Sequence, residues 1–201
     1  EGVDTRYILM HQGMESNSSV VVNFKGERTI FVYHQDWKYL LPEIDRATWI
    51  YYTSVSSSFI HSNLSLEVIN YLQRTGAKLF YNPGTYQIKT GIKKYPQLLS
   101  LSQVLIVNKQ EAQKVLGYPL ETEINVKKLL QELLDLGPKM VIVTDAAKGS
   151  YATDGENFYH LDIFPAKLVE MTGAGDAFAT GVLAALFFGE NLSEAMKWGT
   201  A

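Results

Sequence analysis

From about residue 47 onward the chain alternates short apolar runs with stretches whose apolar residues recur at helical spacing, and this rhythm constrains the fold more than any other feature. Segments 48–53, 77–81, 103–107 and 139–144 read as strands, the last being the most apolar. Between them, 63–74 carries Leu64, Val68, Ile69 and Leu72 on one helical face, with Gly76 placed to end the helix. Segments 109–116 and 126–136 read as two further helices, the second closed by Gly137-Pro138. Segments 150–153 and 157–161 flank Asp154-Gly155, a hairpin signal. A long apolar helix over 175–188 follows, then another helix with Ser193 as its expected N-cap. Apolar strands alternating with helices predict an α/β fold: a mostly parallel central sheet with helices on both faces. Such sheets place ligands at the C-terminal ends of their strands.

The first part of the chain has a different texture. Segments 6–11, 18–24 and 28–34 are rich in Val, Ile, Tyr and Phe, and Lys25-Gly26-Glu27 is a turn signal. No helical pattern interrupts them, so they predict a small antiparallel sheet with a hairpin over 18–34. The expected division is therefore a β unit over residues 1–34 and an α/β core over 35–201. Glu1 at the start, and a helical pattern running through Trp198 to the end, predict a core that is incomplete at both ends.

Composition narrows the function. Hydrophobic residues make up 46% and charged residues 19%, as in a globular chain, and the net charge is −3. That balance argues against nucleic acid or an anionic membrane as partner. The longest apolar stretch, 177–188, is too short to span a bilayer, and no signal segment opens the chain. With no cysteine there is no disulfide, thiolate metal site or Cys nucleophile, which fits a reducing, cytoplasmic setting. His11, His34, His61 and His160 are scattered and do not form a metal-binding pattern. There is neither a Gly-x-x-x-x-Gly-Lys-Ser/Thr loop nor a Gly-x-Gly-x-x-Gly after a strand.

The chemistry concentrates in Thr172-Gly173-Ala174-Gly175-Asp176-Ala177-Phe178. Two glycines flank a small residue, and a helix begins at once. Unpaired backbone N–H groups and the positive end of the helix dipole then point at one spot. Such a spot holds phosphate, or negative charge developing in a transition state. Asp176 falls in the first helical turn, where a carboxylate can take a proton from an attacking hydroxyl. The plainer alternative is that Gly-Ala-Gly only permits close helix packing and that Asp176 only favours the helix start.

Thr172–Phe178 resembles the C-terminal signature of the ribokinase-like (PfkB-type) carbohydrate kinases, Asp-Thr-Thr-Gly-Ala-Gly-Asp-x-Phe. Three more segments match in order. Asn108-Lys109-Gln110-Glu111 resembles the family's Asn-x-x-Glu motif. Val143-Thr144-Asp145-Ala146-Ala147-Lys148-Gly149 resembles its Val-Thr-x-Gly-x-x-Gly nucleotide loop. Gly26-Glu27-Arg28-Thr29 resembles a turn of its β lid. The resemblance implies a kinase that moves the γ-phosphate of ATP to a hydroxyl of a sugar or sugar-like substrate. It implies Asp176 as general base and Gly173, Ala174 and Gly175 as an anion hole. Asn108, Thr144, Ala146 and Gly149 would serve the nucleotide, and Glu111 would hold Mg²⁺ through water, since Mg²⁺ dehydrates reluctantly. It also implies pairing of the lid into a homodimer.

The chain departs from the family pattern at three places. Glu170 stands where relatives carry an Asp beside a monovalent-cation (K⁺) site, and Met171 replaces the next Thr. Ala146 replaces the first glycine of the nucleotide loop. Two alternatives therefore stay open beside the kinase: a non-catalytic relative that only binds nucleotide or sugar, and a fragment with only an interaction role. Within the kinase reading, Asn82-Pro83-Gly84-Thr85-Tyr86-Gln87 is a turn similar to one in some nucleoside kinases, which keeps an adenosine-like acceptor in view.

Overall fold

The computed structural model describes residues 2–24, 27–166 and 172–201. Strand β1 (Ser18–Phe24) pairs antiparallel with β2 (Glu27–Tyr33), Ser18 opposite Tyr33. This is the expected hairpin. It stands as a two-stranded ribbon, and Val20, Val22, Ile30, Phe31 and Val32 stay exposed on it. The expected strand over 6–11 does not form: Arg6 and Tyr7 make a turn and the rest is irregular. A strand exists only through a ladder partner, and none of the described strands pairs with this segment. Its polar groups are satisfied otherwise, Arg6 N–H donating to Asp4 Oδ1 at 3.0 Å and the Tyr7 hydroxyl to Asp45 Oδ2 at 3.0 Å.

The main sheet has six strands in the order of the chain. Strands β3 (Trp49–Tyr52), β4 (Lys78–Tyr81), β5 (Ser102–Asn108) and β6 (Met140–Thr144) run parallel. Strands β7 (Ser150–Thr153) and β8 (Phe158–Leu161) then turn back as an antiparallel meander. Helix α1 (Leu64–Thr75) crosses from β3 to β4 and ends at Gly76. Short helices α2 (Ile92–Lys94) and α3 (Gln97–Ser100) precede β5, preceded in turn by a π-helical turn over Gln87–Gly91, a region with no clear sequence periodicity. Helices α4 (Lys109–Leu116) and α5 (Val126–Leu134) connect β5 to β6, and α6 (Ala174–Phe187) and α7 (Leu192–Thr200) follow β8. Among the described residues no helix is long and apolar enough to cross a membrane.

Alternation along the strands builds two cores. Leu79 and Tyr81, Leu105 and Val107, and Val141 and Val143 face one side and pack with Val68, Leu72, Leu129 and Leu133 of α1 and α5. Their neighbours Phe80, Val104, Ile106, Ile142 and Ala152 face the other side, under Phe178, Val182 and Met196 of α6 and α7. Helices therefore cover both faces, as the sequence rhythm requires. Helices α6 and α7 cross closely at Gly181 and Gly199. A Cβ on either would meet a backbone carbonyl oxygen at 2.7 Å, that of Trp198 or Phe178.

Two boundaries move from their expected places. Helix α5 ends at Leu134, short of residue 136. Helix α7 is capped by Asn191 rather than Ser193, with Asn191 Oδ1 accepting from Glu194 N–H at 3.0 Å. Leu192 is buried in the second core, so the helix has to begin before Ser193.

Candidate active site

The parallel strands deliver four polar residues to one edge of the sheet: Thr53 just after β3, Asn82 just after β4, and Asn108 and Thr144 at the ends of β5 and β6. Asn108 and Thr144 are direct partners in the ladder. Asn108 also caps α4. Its Oδ1 accepts from Glu111 N–H and Glu111 Oε2 accepts from Asn108 N–H, both at 2.9 Å. Each side chain satisfies a backbone donor that the helix start leaves open. Burial raises the Glu111 carboxyl above its ordinary value, while the Asn108 N–H and Lys114 pull it back. Lys109, the next residue, reaches Asp145 of the loop after β6, Nζ to Oδ2 at 3.3 Å. The Asn-x-x-Glu segment and the nucleotide-type loop are thus tied side by side.

That loop is a tight turn between two strands. Asp145 N–H donates to Gly149 O at 2.8 Å, Lys148 N–H to Asp145 O at 2.9 Å and Gly149 N–H to Ala146 O at 3.0 Å. Ala146, where the family has glycine, sits at φ 46°, in the left-handed region. Gly149 has φ 79°, and any Cβ there would run into the Leu161 carbonyl of β8. Glycine is required at 149, whereas the fold accepts alanine at 146 at the cost of strain.

Opposite the loop, α6 begins. Gly173 is its N-cap at φ 83°, and no side chain caps the helix. Ala177 N–H is the first to bond back, to Gly173 O at 2.8 Å, which leaves the N–H groups of Ala174, Gly175 and Asp176 without an intrahelical acceptor. Thr144, Ala146 and Gly149 share a cavity of about 420 Å³ with Ala174 and Gly175. Its far wall is apolar, from Ile163, Phe164 and Phe178. Loop and helix start, more than twenty residues apart in sequence, therefore face one volume.

Asp176 is exposed on the first turn, its carboxylate open to solvent. Its charge reaches Tyr51 of β3. The Tyr51 hydroxyl is raised above its ordinary range mainly by burial, with a Thr53 hydrogen bond opposing and the Asp176 charge adding to the rise. Tyr51 donates to Asn82 Oδ1 at 3.4 Å, and Asn82 Nδ2 donates to Ile106 O at 2.9 Å. Buried Gln87 joins the loops on this side, accepting from Gly84 N–H at 2.8 Å and donating to Thr53 O at 3.1 Å. Sequence reading missed Lys109, Asp145 and Tyr51. Lys109 and Asp145 stood inside the family motifs without a role of their own, and the Asn82–Gln87 turn was the one signal for the Asn82 and Gln87 contacts.

Of the expected site residues, Thr144, Ala146, Gly149, Ala174 and Gly175 line the cavity and Gly173 does not; Asn108 ends the neighbouring strand, Glu111 lies in the first turn of α4, and Asp176 lies in the first turn of α6. Glu170, expected at a monovalent-cation site, lies outside the described residues, as do Met171 and the lid-turn residues Lys25 and Gly26. Among the described residues, no group of three or more His, Asp or Glu side chains could hold a metal directly.

Comparison with known proteins identifies the family. A model of the pfkB family of carbohydrate kinases matches residues 1–201. The chain is 24% identical to a ribokinase of Staphylococcus aureus over 98% of its own length and 65% of that protein's. It is 32% identical to a cytidine kinase of Thermococcus kodakarensis over 67% of its own length and 48% of that protein's. It therefore spans less than two thirds of these relatives. The fold superposes on an Arabidopsis thaliana ribokinase solved with ribose and ATP at a TM-score of 0.70, with 21% identity, covering 92% of this chain and 60% of that one. With its parallel sheet, its Asn108–Glu111 and Thr144–Gly149 segments at neighbouring strand ends, and its Gly-Ala-Gly-Asp helix start, the chain belongs to the pfkB family of carbohydrate kinases.

Proposed function

We propose that the protein transfers the γ-phosphoryl group of ATP to a hydroxyl of a sugar or sugar-like acceptor. The observation that carries this reading is the shared cavity of the 144–149 loop and the α6 start, with Asp176 exposed beside it. Phosphoryl transfer depends on positioning and charge neutralisation more than on covalent chemistry by the protein. The N–H groups of Gly173, Ala174 and Gly175 hold the transferring group at the positive end of α6. Asp176, exposed on the first turn of α6, takes the proton of the attacking hydroxyl. Thr144, Ala146 and Gly149 line the phosphate side of the nucleotide, and Asn108 sits next to them on the sheet edge.

The site suits Mg²⁺ held through water. One Glu111 oxygen is committed to Asn108 N–H, which leaves the other for a metal-bound water. When bound, the ion would neutralise charge on the phosphates. In this reading Tyr51, Asn82 and Gln87, joined by hydrogen bonds after β3 and β4, serve the acceptor, and Asp176 stands between acceptor and phosphates.

The left-handed Ala146 favours a second reading, a relative that binds nucleotide without turning it over. For the acceptor, the likeness to a cytidine kinase supports a nucleoside as the variant within the kinase reading. One assay separates these. ATP consumption is followed with Mg²⁺, with and without K⁺, against a panel of sugars and nucleosides, with Asp176→Asn alongside. Acceptor-dependent turnover that falls by about 10² or more in the variant, with nucleotide binding kept, is expected. Turnover at the wild-type rate in Asp176→Asn overturns the base assignment. Nucleotide binding without turnover for any acceptor supports the second reading.

A further inference from the structure

Ser150 opens β7 and forms part of the cavity wall between the loop and α6. Its backbone lies inside the sheet, opposite Thr144 on one side and Leu161 on the other. Strand alternation puts its side chain on the same face as Ala152, the face covered by α6 and α7. The residue is only 3% exposed, yet its Oγ has no hydrogen-bond partner among the described residues. Buried hydroxyls are nearly always paired, because an unpaired one loses its hydration and gains nothing in return. The unpaired hydroxyl is thus next to the volume that the proposed function assigns to nucleotide.

We infer that the Ser150 hydroxyl is a nucleotide contact whose partner arrives with the ligand. A serine hydroxyl moves between staggered positions by rotation about χ1, so a nucleoside triphosphate filling the cavity can supply the acceptor or donor that the protein does not. The rest of the wall fits that ligand class: the helix start and loop offer N–H groups to phosphates, while Ile163, Phe164 and Phe178 offer an apolar surface to a base. Sequence gave no sign of this residue, since a serine after a turn glycine is unremarkable. The inference rests on the nucleotide-binding reading of the cavity.

The test compares wild type, Ser150→Ala and Ser150→Cys by thermal melting without ligand and by calorimetric titration with ATP and ADP. Cysteine keeps the side-chain shape, with a somewhat larger atom, but is a weak hydrogen-bonding group. Ligand-free Ser150→Ala is expected to melt at or above the wild-type temperature, because an unpaired hydroxyl is removed. Its affinity for ATP is expected to fall about five-fold, and Ser150→Cys is expected to follow it. Unchanged ATP and ADP affinity in both variants overturns the inference and leaves the nucleotide reading standing. A lower ligand-free melting temperature in Ser150→Ala also overturns it, since the hydroxyl would then have a partner in the fold. Failure of the wild type itself to bind ATP or ADP removes the nucleotide reading and this inference with it.

Discussion

Asn108 and Glu111 close on each other at the start of α4, each side chain accepting the other's backbone N–H at 2.9 Å. The pair is a helix cap and also the expected metal-side group of the site, and substitution can separate the two roles. Gln at 111 can still accept from Asn108 N–H but carries no charge. Glu111→Gln is therefore expected to melt within a few degrees of wild type while Mg²⁺-dependent turnover falls about ten-fold or more. Asn108→Ala loses the cap and is expected to cost about 1 kcal/mol in denaturant unfolding. Equal loss of stability and turnover in Glu111→Gln would leave the carboxylate as a cap and nothing more.

Ala146 and Gly149 bound the same short turn and should respond oppositely to exchange. At φ 46° alanine is strained, so Ala146→Gly is expected to raise stability by about 0.5–1 kcal/mol, net of the extra freedom glycine has when unfolded. Gly149→Ala puts a methyl group against the Leu161 carbonyl at a positive φ and is expected to lose about 2–3 kcal/mol. Urea unfolding of both variants decides this. A destabilised Ala146→Gly would show that the turn does not hold the left-handed conformation.

Tyr81 is fully buried and stacks on Tyr52, ring centres 5.6 Å apart, but its hydroxyl has no partner among the described residues. Removing that oxygen keeps the ring contacts and deletes a dehydrated polar group. Tyr81→Phe is expected to gain about 1 kcal/mol. A clear loss of stability on equilibrium unfolding would mean that the hydroxyl is paired in solution.

Asp154, in the β7–β8 turn, is expected to contribute to the acid response of that hairpin. Slight burial pushes its carboxyl up, but hydrogen bonds from Asn157 N–H, the Tyr159 hydroxyl and Glu156 N–H win and hold it below its ordinary 3.8. A depressed acid adds stability above its unfolded pKa and loses it as pH falls through the folded one. The melting temperature should therefore drop as pH falls below about 4, and Asp154→Asn should flatten that part of the profile. An unchanged acid limb in the variant would assign the loss to other carboxylates.

Much of the layout was legible from residue order. Helix α4 stands where it was expected, over 109–116, and the features that bound it are local: Asn108 and Glu111 cap its start and Gly117 leaves it in the left-handed conformation. The α6 start was readable for the same reason: Gly173 and Asp176 act within one turn of the chain. Residues 6–11 misled, since Tyr, Ile and Leu suit a strand but cannot create the neighbouring strand that one requires. Ser193 misled because an N-cap is chosen by where the helix must start to bury Leu192, and burial is a tertiary matter.

The sequence by itself determined most of the strands and helices of the α/β core, and that its sheet is mostly parallel with both faces covered. These follow from periodicity, capping and glycine stereochemistry, which act over a few residues. Only the tertiary structure decided that the 144–149 loop and the α6 start share one cavity, that Lys109 pairs with Asp145, that the Asp176 charge bears on Tyr51, and that the Ser150 hydroxyl is left unpaired beside that cavity. Those relations join residues far apart in the chain, through strand register and helix packing, and no local pattern encodes them.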